Sequence, residues 1–163
     1  MKLTILALAT LAAAQPADAR PQSAAECARP SAAAVEAQFS RFEGALATRN
    51  PDAVTNLFAA DAVLLPTLSN TPRTTPDAVR DYFVHFLAKS PTVRIDSSTV
   101  RSDCHMAERV GTWTWTLTDP ATGARSQAHA RFSFIYRLAG GQWRIDHLHS
   151  SLMPEAETKT AHR

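Results

Sequence analysis

The sequence predicts an α+β domain in which helices come first and a strongly curved antiparallel sheet follows. Apolar residues recur at helical spacing in the first part of the chain, and from Thr92 onward they alternate at strand spacing. The alternating segments are long, and long strands cannot stay flat because their twist accumulates along the sheet. A sheet of this kind coils around a helix and leaves a conical hollow.

Length and composition indicate a single globular domain. The chain has 163 residues, of which 45% are hydrophobic and 20% are charged. Its formal net charge is only +2, and the arginines are scattered over several segments. Such a weak and dispersed charge predicts no nucleic-acid partner.

Residues 1–19 have the pattern of a secretory signal peptide. Lys2 precedes an apolar run from Leu3 to Ala14, and the small residues Ala17 and Ala19 mark a cleavage site. The run is shorter than the roughly 20 residues that a membrane-spanning helix needs, and no later run is long enough. We therefore expect a periplasmic or secreted protein without membrane insertion after signal cleavage.

Two cysteines, Cys27 and Cys104, remain after this cleavage. An even count in an exported chain favours a disulfide, which stabilises a fold of this loop length by about 4 to 5 kcal/mol in the chain-entropy model. A metal pair or a reactive thiol are the alternatives. Neither cysteine lies in a C-x-x-C motif or beside another soft ligand, so the disulfide is preferred.

The first half of the predicted domain is helical. After a leader at residues 20–30 without any pattern, Ser31 is placed to cap a helix over 31–49. Asn50 and Pro51 end that helix and begin a short second one in the stretch DAVTNLFAA. The apolar stripe of the first helix consists of Val35, Phe39, Phe42 and Leu46.

A strand and a third helix follow. The stretch AVLLPTLSNTPR is interrupted by Pro66, which predicts an edge strand followed by a hairpin turn. Thr75 caps the third helix at Pro76, and His85 is expected on the surface of that helix. Its apolar stripe consists of Val79, Tyr82, Phe83 and Phe86.

Four long strands complete the domain, which we place at residues 31–154. They are TVRIDSSTVRSDC, AERVGTWTWTLTD, SQAHARFSFIYRL and QWRIDHLHSSLM. Hairpin signals separate them at Pro120 to Gly123 and at Gly140 with Gly141. The polar segment at residues 155–163 is expected to be a disordered tail.

Several of these stretches resemble a known family. DAVLLPTLSNTPR, RDYFVHFLA, HARFSFIYR and GQWRIDHLHSSLMPE are similar to the bacterial relatives of the association (hub) domain of calcium/calmodulin-dependent protein kinase II. That family belongs to the cone-shaped superfamily of nuclear transport factor 2, the SnoaL-type polyketide cyclases and ketosteroid isomerase. The resemblance implies an NTF2-like cone that forms a dimer, or a larger ring, through the outer face of its sheet. The kinase catalytic motifs are absent, so no calmodulin or ATP chemistry is implied.

The resemblance also suggests a ligand site. The hollow of the kinase hub contains arginines and binds small carboxylates, and Arg131 stands where the hub has one of them. The hub's other two basic positions are occupied here by Ser150 and by the WTWTLT strand around Trp113. We expect a small ligand, anionic if Arg131 binds it, among Arg131, Trp113, Tyr82, Asp146 and Ser150.

Strand alternation then assigns faces to the last two strands. If Arg131 and Ser150 point into the hollow, His147 and His149 point outward. Phe132 and Phe134 would then join these histidines on an apolar face, and these four residues form the predicted subunit interface. The His-x-His pair can ligate a metal, but a third ligand is missing and Asp146 is expected on the other face, so neither metal nor cofactor is predicted.

Two function hypotheses from different classes remain. The first is an exported, self-associating domain that binds a small molecule without chemistry. The second is a cofactor-independent isomerase, cyclase or hydrolase of the SnoaL-like or ketosteroid-isomerase-like type. Catalysis of that kind needs a titratable group facing the substrate, and no motif places Asp146 and Tyr82 together. The sequence therefore favours the first hypothesis.

Overall fold

The computed structural model describes residues 29–154. The predicted signal peptide, most of the leader and the predicted tail lie outside the described residues, so they stay predictions. The α+β order is confirmed. The elements in chain order are α1 (Ala32–Ala47), α2 (Pro51–Thr55), β1 (Phe58–Leu65), α3 (Pro76–Leu87), β2 (Thr92–Ser102), β3 (Met106–Thr118), β4 (Arg125–Ala139) and β5 (Gln142–Leu152).

All three helices begin at the predicted caps. The Ser31 side chain accepts a hydrogen bond from the backbone of the first turn of α1, and Thr75 does the same for α3. Asn50 caps α2, and Pro51 and Pro76 occupy first-turn positions, where a missing N–H costs nothing. Local chemistry thus fixes where each helix starts.

The five strands form one sheet in the order β1-β5-β4-β3-β2. β1 lies at an edge, as predicted, but it pairs with β5 in parallel, whereas the other three pairings are antiparallel. The second helix is also shorter than predicted. It ends at Thr55, because the following residues pair with β5: Phe58 lies opposite Ile145, and the Leu57 carbonyl accepts the Ile145 N–H at 2.8 Å.

The helices cover one face of the sheet, here called the inner face; the opposite one is the outer face. Phe134 of β4 is fully buried on the inner face and makes edge contacts with Phe39 and Phe42 of α1. The space between the inner face and the helices is the hollow. The core of the domain therefore fills the region where the sequence predicts an open cone.

A bulge in β2 brings two backbones close together. The pairing of β2 with β3 shifts between Ile95 and Ser97. At this point the Ser97 carbonyl oxygen comes so close to Gly111 of β3 that an added Cβ would lie 2.0 Å from it. Only glycine fits at such a close approach of two backbones.

The described part of the leader is attached to β2. The Ser102 hydroxyl donates to the Pro30 carbonyl at 3.0 Å. Cys104 lies in the turn between β2 and β3, but Cys27 lies outside the described residues, so their disulfide stays a prediction. Within residues 29–154, no helix is long and apolar enough to cross a membrane.

Candidate functional site

The hollow is almost completely filled by aromatic side chains. Trp113 is 1% exposed and stacks on Phe132, with ring centroids 4.6 Å apart. Trp115 lies edge-on against Phe86 of α3 at 5.0 Å. The cavity that remains has a volume of about 20 Å³, which is room for about one water molecule. Its walls come from α1, α3, β1, β3, β5 and the loop that follows β1.

A short chain of polar groups lies at one side of this cavity. Trp113 Nε1 donates to the Ser150 hydroxyl at 3.2 Å, and the Thr67 hydroxyl also donates to Ser150. Ser150 is buried on the inner face, where the sequence places it. Trp115 also lines the cavity, and its Nε1 is buried without an acceptor among the described residues. An unpaired buried donor costs about 1–3 kcal/mol, so this N–H favours any acceptor that enters.

Tyr82 lies on the helical wall of the hollow. Its ring stacks on Phe86 at 5.4 Å, and the side chain is 9% exposed. Burial raises the pKa of the Tyr82 phenol, while the charge of Arg73 acts in the opposite direction. The phenol therefore stays protonated at neutral pH and is a hydrogen-bond donor, not a base.

No ordinary acid/base residue lines the hollow among the described residues. Its wall contains only apolar and aromatic side chains with Thr67, Ser150 and Tyr82 as polar members. A proton-transfer enzyme needs a group that titrates near the working pH and faces the substrate. The described lining of this cavity therefore offers hydrogen-bond donors and apolar contacts.

Asp146 lies on the outer face, so its predicted position in the hollow is wrong. A bulge between β4 and β5 breaks the alternation on which the prediction depended. Ile145 and Leu148 are both buried, while Asp146 and His147 between them are both half-buried. The Asp146 carboxylate lies 2.8 Å from Nε of Arg137, away from any ligand in the hollow.

Arg131 also lies on the outer face, so its predicted inward orientation is wrong. Its side chain is exposed, and its guanidinium makes one long hydrogen bond of 3.4 Å to the Leu152 carbonyl. The strand register explains the error: Ser150 lies opposite Phe132, and directly opposed residues share a face. The prediction instead placed Ser150 and Arg131 on the same face.

For the same reason, Phe132 and Phe134 are not on the outer face. They are 3% and 0% exposed and belong to the core, so their predicted place in a subunit interface is wrong. Tyr136 continues the same row, since its ring lies parallel to that of Phe134 at 5.5 Å. The apolar residues of β4 thus serve the interior of the domain.

His147 and His149 do face outward, as predicted. Burial and the neighbouring His149 lower the pKa of His147, and Asp146 and a backbone hydrogen bond with Val63 act against this. His149 is exposed. No group of three or more His, Cys, Asp or Glu side chains in residues 29–154 could hold a metal ion. Whether these rings contact a second subunit stays a prediction.

Sequence reasoning missed an arginine on the inner face. Arg109 is 8% exposed; its Nε donates to Ser98 at 3.1 Å, and its guanidinium lies 4.9 Å from the Phe39 ring centroid. Burial raises the pKa of nearby Glu43, and the charge of Arg109 opposes this. Strand alternation could have placed Arg109 on the inner face, because positions 109 and 113 have the same parity on β3 and Trp113 faces inward.

A polar chain on the outer face was missed as well. The Thr114 hydroxyl donates to Asp96 at 2.6 Å and lies 3.0 Å from Nδ1 of His129. Asp96 is also paired with Arg94 at 2.9 Å. These residues come from three neighbouring strands, and the β2 bulge brings Asp96 to Thr114, so no local motif could reveal them.

Comparison with known proteins agrees with the architecture. A family model described as the SnoaL-like domain matches residues 36–145. A solved structure of a putative calcium/calmodulin-dependent protein kinase II association domain from Xanthomonas campestris is 44% identical, with a TM-score of 0.72; the alignment covers 75% of this chain and 87% of that one. No curated protein sequence matched the chain.

More distant structures share the fold alone. An NTF2-like superfamily protein from Salmonella enterica serovar Typhimurium is 14% identical with a TM-score of 0.67, covering 78% of this chain and 94% of that one. A ketosteroid isomerase-like protein from Erwinia carotovora is 19% identical with a TM-score of 0.63, covering 75% and 95%. The resemblance found in the sequence is confirmed, and the chain belongs to the SnoaL-like domain family with an NTF2-like fold.

Proposed function

We propose that this protein is an exported, self-associating domain that holds a small ligand in its hollow without transforming it. One observation carries the ligand-binding part: the Thr67–Ser150 pair lines both the closed cavity and an open groove of about 320 Å³. The groove runs between the end of β5 and the loop after β1, and His149 lies in its wall. The hydrogen bond between these two hydroxyl groups therefore lies where the groove meets the aromatic cavity.

The chemistry of the cavity defines the ligand that it would accept. The indole N–H of Trp115 lacks an acceptor within residues 29–154, and the walls are aromatic and aliphatic apart from Thr67, Ser150 and the Tyr82 phenol. A small apolar molecule with one oxygen acceptor would satisfy this donor and replace any water in the cavity. Because the cavity is only about 20 Å³, the ligand would enter from the groove by separating Thr67 from Ser150.

Indole N–H signals in a nitrogen–proton NMR spectrum test this proposal. Titration with cyclohexanone, or with the smaller cyclopentanone, is expected to shift the signal of Trp115. Trp143 is an internal control, since it packs at the edge of the core and does not line the cavity. Thr67→Val, which removes the separating hydroxyl, is expected to strengthen binding. If neither probe moves the Trp115 signal more than that of Trp143, the ligand proposal is wrong.

The outer face supports the self-association part. Ile135 and Val63 are only partly buried by their own chain, and they lie beside His147, since Ile135 and Val63 are its cross-strand partners. A face of this kind on a sheet can pair with its own copy across a two-fold axis. Sedimentation at pH 8 is expected to show a dimer that weakens at pH 5.5, because protonated His147 would introduce charge into the contact.

A matched pair of variants separates a sheet contact from general solubility effects. Ile135→Glu places a charge at the centre of the outer face and is expected to yield monomers. Val84→Glu changes an apolar residue on α3 that is 42% exposed, away from the sheet, and is expected to leave the dimer intact. A monomeric wild-type protein at micromolar concentration, or equal effects of the two variants, would contradict the sheet contact.

Export and the disulfide are tested together by mass spectrometry. Protein recovered from the periplasm or medium is expected to lack residues 1–19. Without reductant it should carry a Cys27–Cys104 bond and no titratable thiol. An intact N-terminus with two free thiols would overturn this part of the proposal and leave the ligand and dimer tests unaffected.

A further inference from the structure

A second pocket lies outside the hollow, between α3 and the loop that follows β1. It has a volume of about 190 Å³. Three basic side chains, Arg73, His85 and Lys89, line it together with Leu68, Tyr82 and Phe86. Tyr82 and Phe86 also form part of the wall of the hollow, so the pocket lies directly behind the aromatic core but opens to solvent separately.

The position of Arg73 is fixed by the backbone. Arg73 and Leu64 exchange two backbone hydrogen bonds, each 2.9 Å long, which attach the end of the loop to β1. The guanidinium NH1 lies 3.2 Å from Asp81, but Nε is buried without an acceptor among the described residues. The NH1 group of Arg73 is therefore held in place by Asp81, while its Nε–H has no acceptor within residues 29–154.

The charges around the pocket leave a positive excess. Asp81 is the acid that faces this group: it pairs with Arg73 and lies 3.7 Å from Nε2 of His85. Its side chain is 57% exposed, so water screens its charge. Lys89 has a weak electrostatic interaction with Asp119 on the turn after β3. Two permanent cations thus face the pocket, against one solvated carboxylate that does not line it.

The remaining wall is apolar apart from Ser69. Leu68 is 38% exposed for a large aliphatic side chain, and the rings of Tyr82 and Phe86 stack beside it. Pockets for drug-sized ligands have volumes of about 300–1,000 Å³, so a pocket of about 190 Å³ limits the ligand to a small one. A flat apolar body with one acidic group matches this combination of wall and charge.

We propose that this pocket binds small carboxylates with an aromatic or aliphatic body. The carboxylate accepts hydrogen bonds from the Arg73 guanidinium, including its unpaired Nε, and Lys89 adds an electrostatic contribution. The body of the ligand covers Leu68 and the edge of Phe86. This site requires no opening of the hollow, and it supplies the cationic group that Arg131 does not provide.

Benzoate is the probe that tests the site. Its binding to the full mature protein is measured by calorimetry and by the Arg73 Nε–H signal in NMR spectra. The dissociation constant of benzoate is expected to rise at least tenfold in Arg73→Gln and about threefold in Lys89→Gln. Benzoate is also expected to bind more weakly as salt is added. Arg80→Gln is the matched control. Arg80 lies on the same helix and pairs with Asp52 outside the pocket, and its replacement should leave binding unchanged.

Neutral and inorganic probes distinguish the alternatives. Benzyl alcohol is expected to bind at least tenfold more weakly than benzoate, and inorganic phosphate is expected to bind more weakly because it cannot cover the apolar wall. Equal binding of benzoate to wild type and Arg73→Gln would overturn the proposal. Binding of benzyl alcohol as tight as that of benzoate would also overturn it.

If Arg73→Gln does not fold, Lys89→Gln changes an exposed side chain and decides the question. Binding in the hollow shifts the Trp115 indole signal without the Arg73 signal, so the two sites fail or succeed separately.

Discussion

The two faces of the same sheet differ in what determines their residues. On the inner face, Trp113, Phe134 and Leu148 pack against the helices, and almost no free volume is left. On the outer face, side chains such as Thr114 and Asp146 are held by hydrogen bonds and ion pairs with neighbouring strands. The inner face therefore supplies the apolar burial of the domain, while self-association through the outer face stays a prediction.

The largest effect on stability is expected from one carbon atom added to the inner face. Gly111→Ala places a Cβ 2.0 Å from the Ser97 carbonyl oxygen, and both groups belong to the backbone. We expect the free energy of unfolding to fall by about 4 kcal/mol or more, measured by urea denaturation. Gly44→Ala is the control: nothing lies within 4 Å of its added Cβ on α1, so stability should rise by about 0.5–1 kcal/mol.

Removing a ring from the inner face should have the next largest effect. Phe134→Ala leaves a cavity among aromatic side chains and should lower the free energy of unfolding by about 3–5 kcal/mol. Arg131→Ala on the outer face of the same strand should change it by less than about 0.5 kcal/mol. Similar losses in both variants would contradict the face assignment of β4.

A smaller effect is expected from the polar chain on the outer face. Thr114→Val removes the hydroxyl between Asp96 and His129, and Asp96 then keeps its contact with Arg94. We expect a loss of about 1 kcal/mol in unfolding experiments. Thr116→Val, two residues along the same strand, removes no side-chain hydrogen bond found within residues 29–154 and should change stability by less than about 0.5 kcal/mol. Equal results would mean that the chain adds nothing to stability.

The smallest effect concerns His147 and pH. Its folded pKa is lowered by burial, so the unfolded chain takes up the proton first as the pH falls through about 6.5. Stability should decrease from that pH downward and level off below the folded pKa, as followed by the urea midpoint between pH 8 and pH 5. His147→Gln should flatten this part of the curve, whereas an unchanged slope would assign it to other groups.

The fold was predictable because its signals are local. The caps at Ser31, Asn50 and Thr75 and the change from helical to strand periodicity depend on residues that are neighbours in sequence. The parallel pairing of β1 with β5 was not predictable in this way. It depends on the contact of Phe58 with a strand that lies at the other end of the chain.

The site was predicted less well, because side-chain direction depends on strand register. Ser150, Trp113 and Tyr82 do line the hollow, since each lies in a segment with strong apolar alternation or helical spacing. Asp146 does not, because the bulge between β4 and β5 turns it outward. Arg131 does not, because Ser150 shares its face with Phe132, the neighbour of Arg131 on β4. Arg73 gave no sequence signal, since a two-bond bridge in a proline-containing loop fixes its position.

The position of β5 between β1 and β4 affects how a growing chain can mature. Until the last strand has been synthesised, β1 has no neighbour in the sheet, and Leu148 and Ser150 are missing from the wall of the hollow. Because this contact joins distant parts of the chain, it forms late and slows the search for the native state. A ribosome that stops before residue 142 would release a polypeptide with an unpaired apolar strand, which is a substrate for chaperones and proteases.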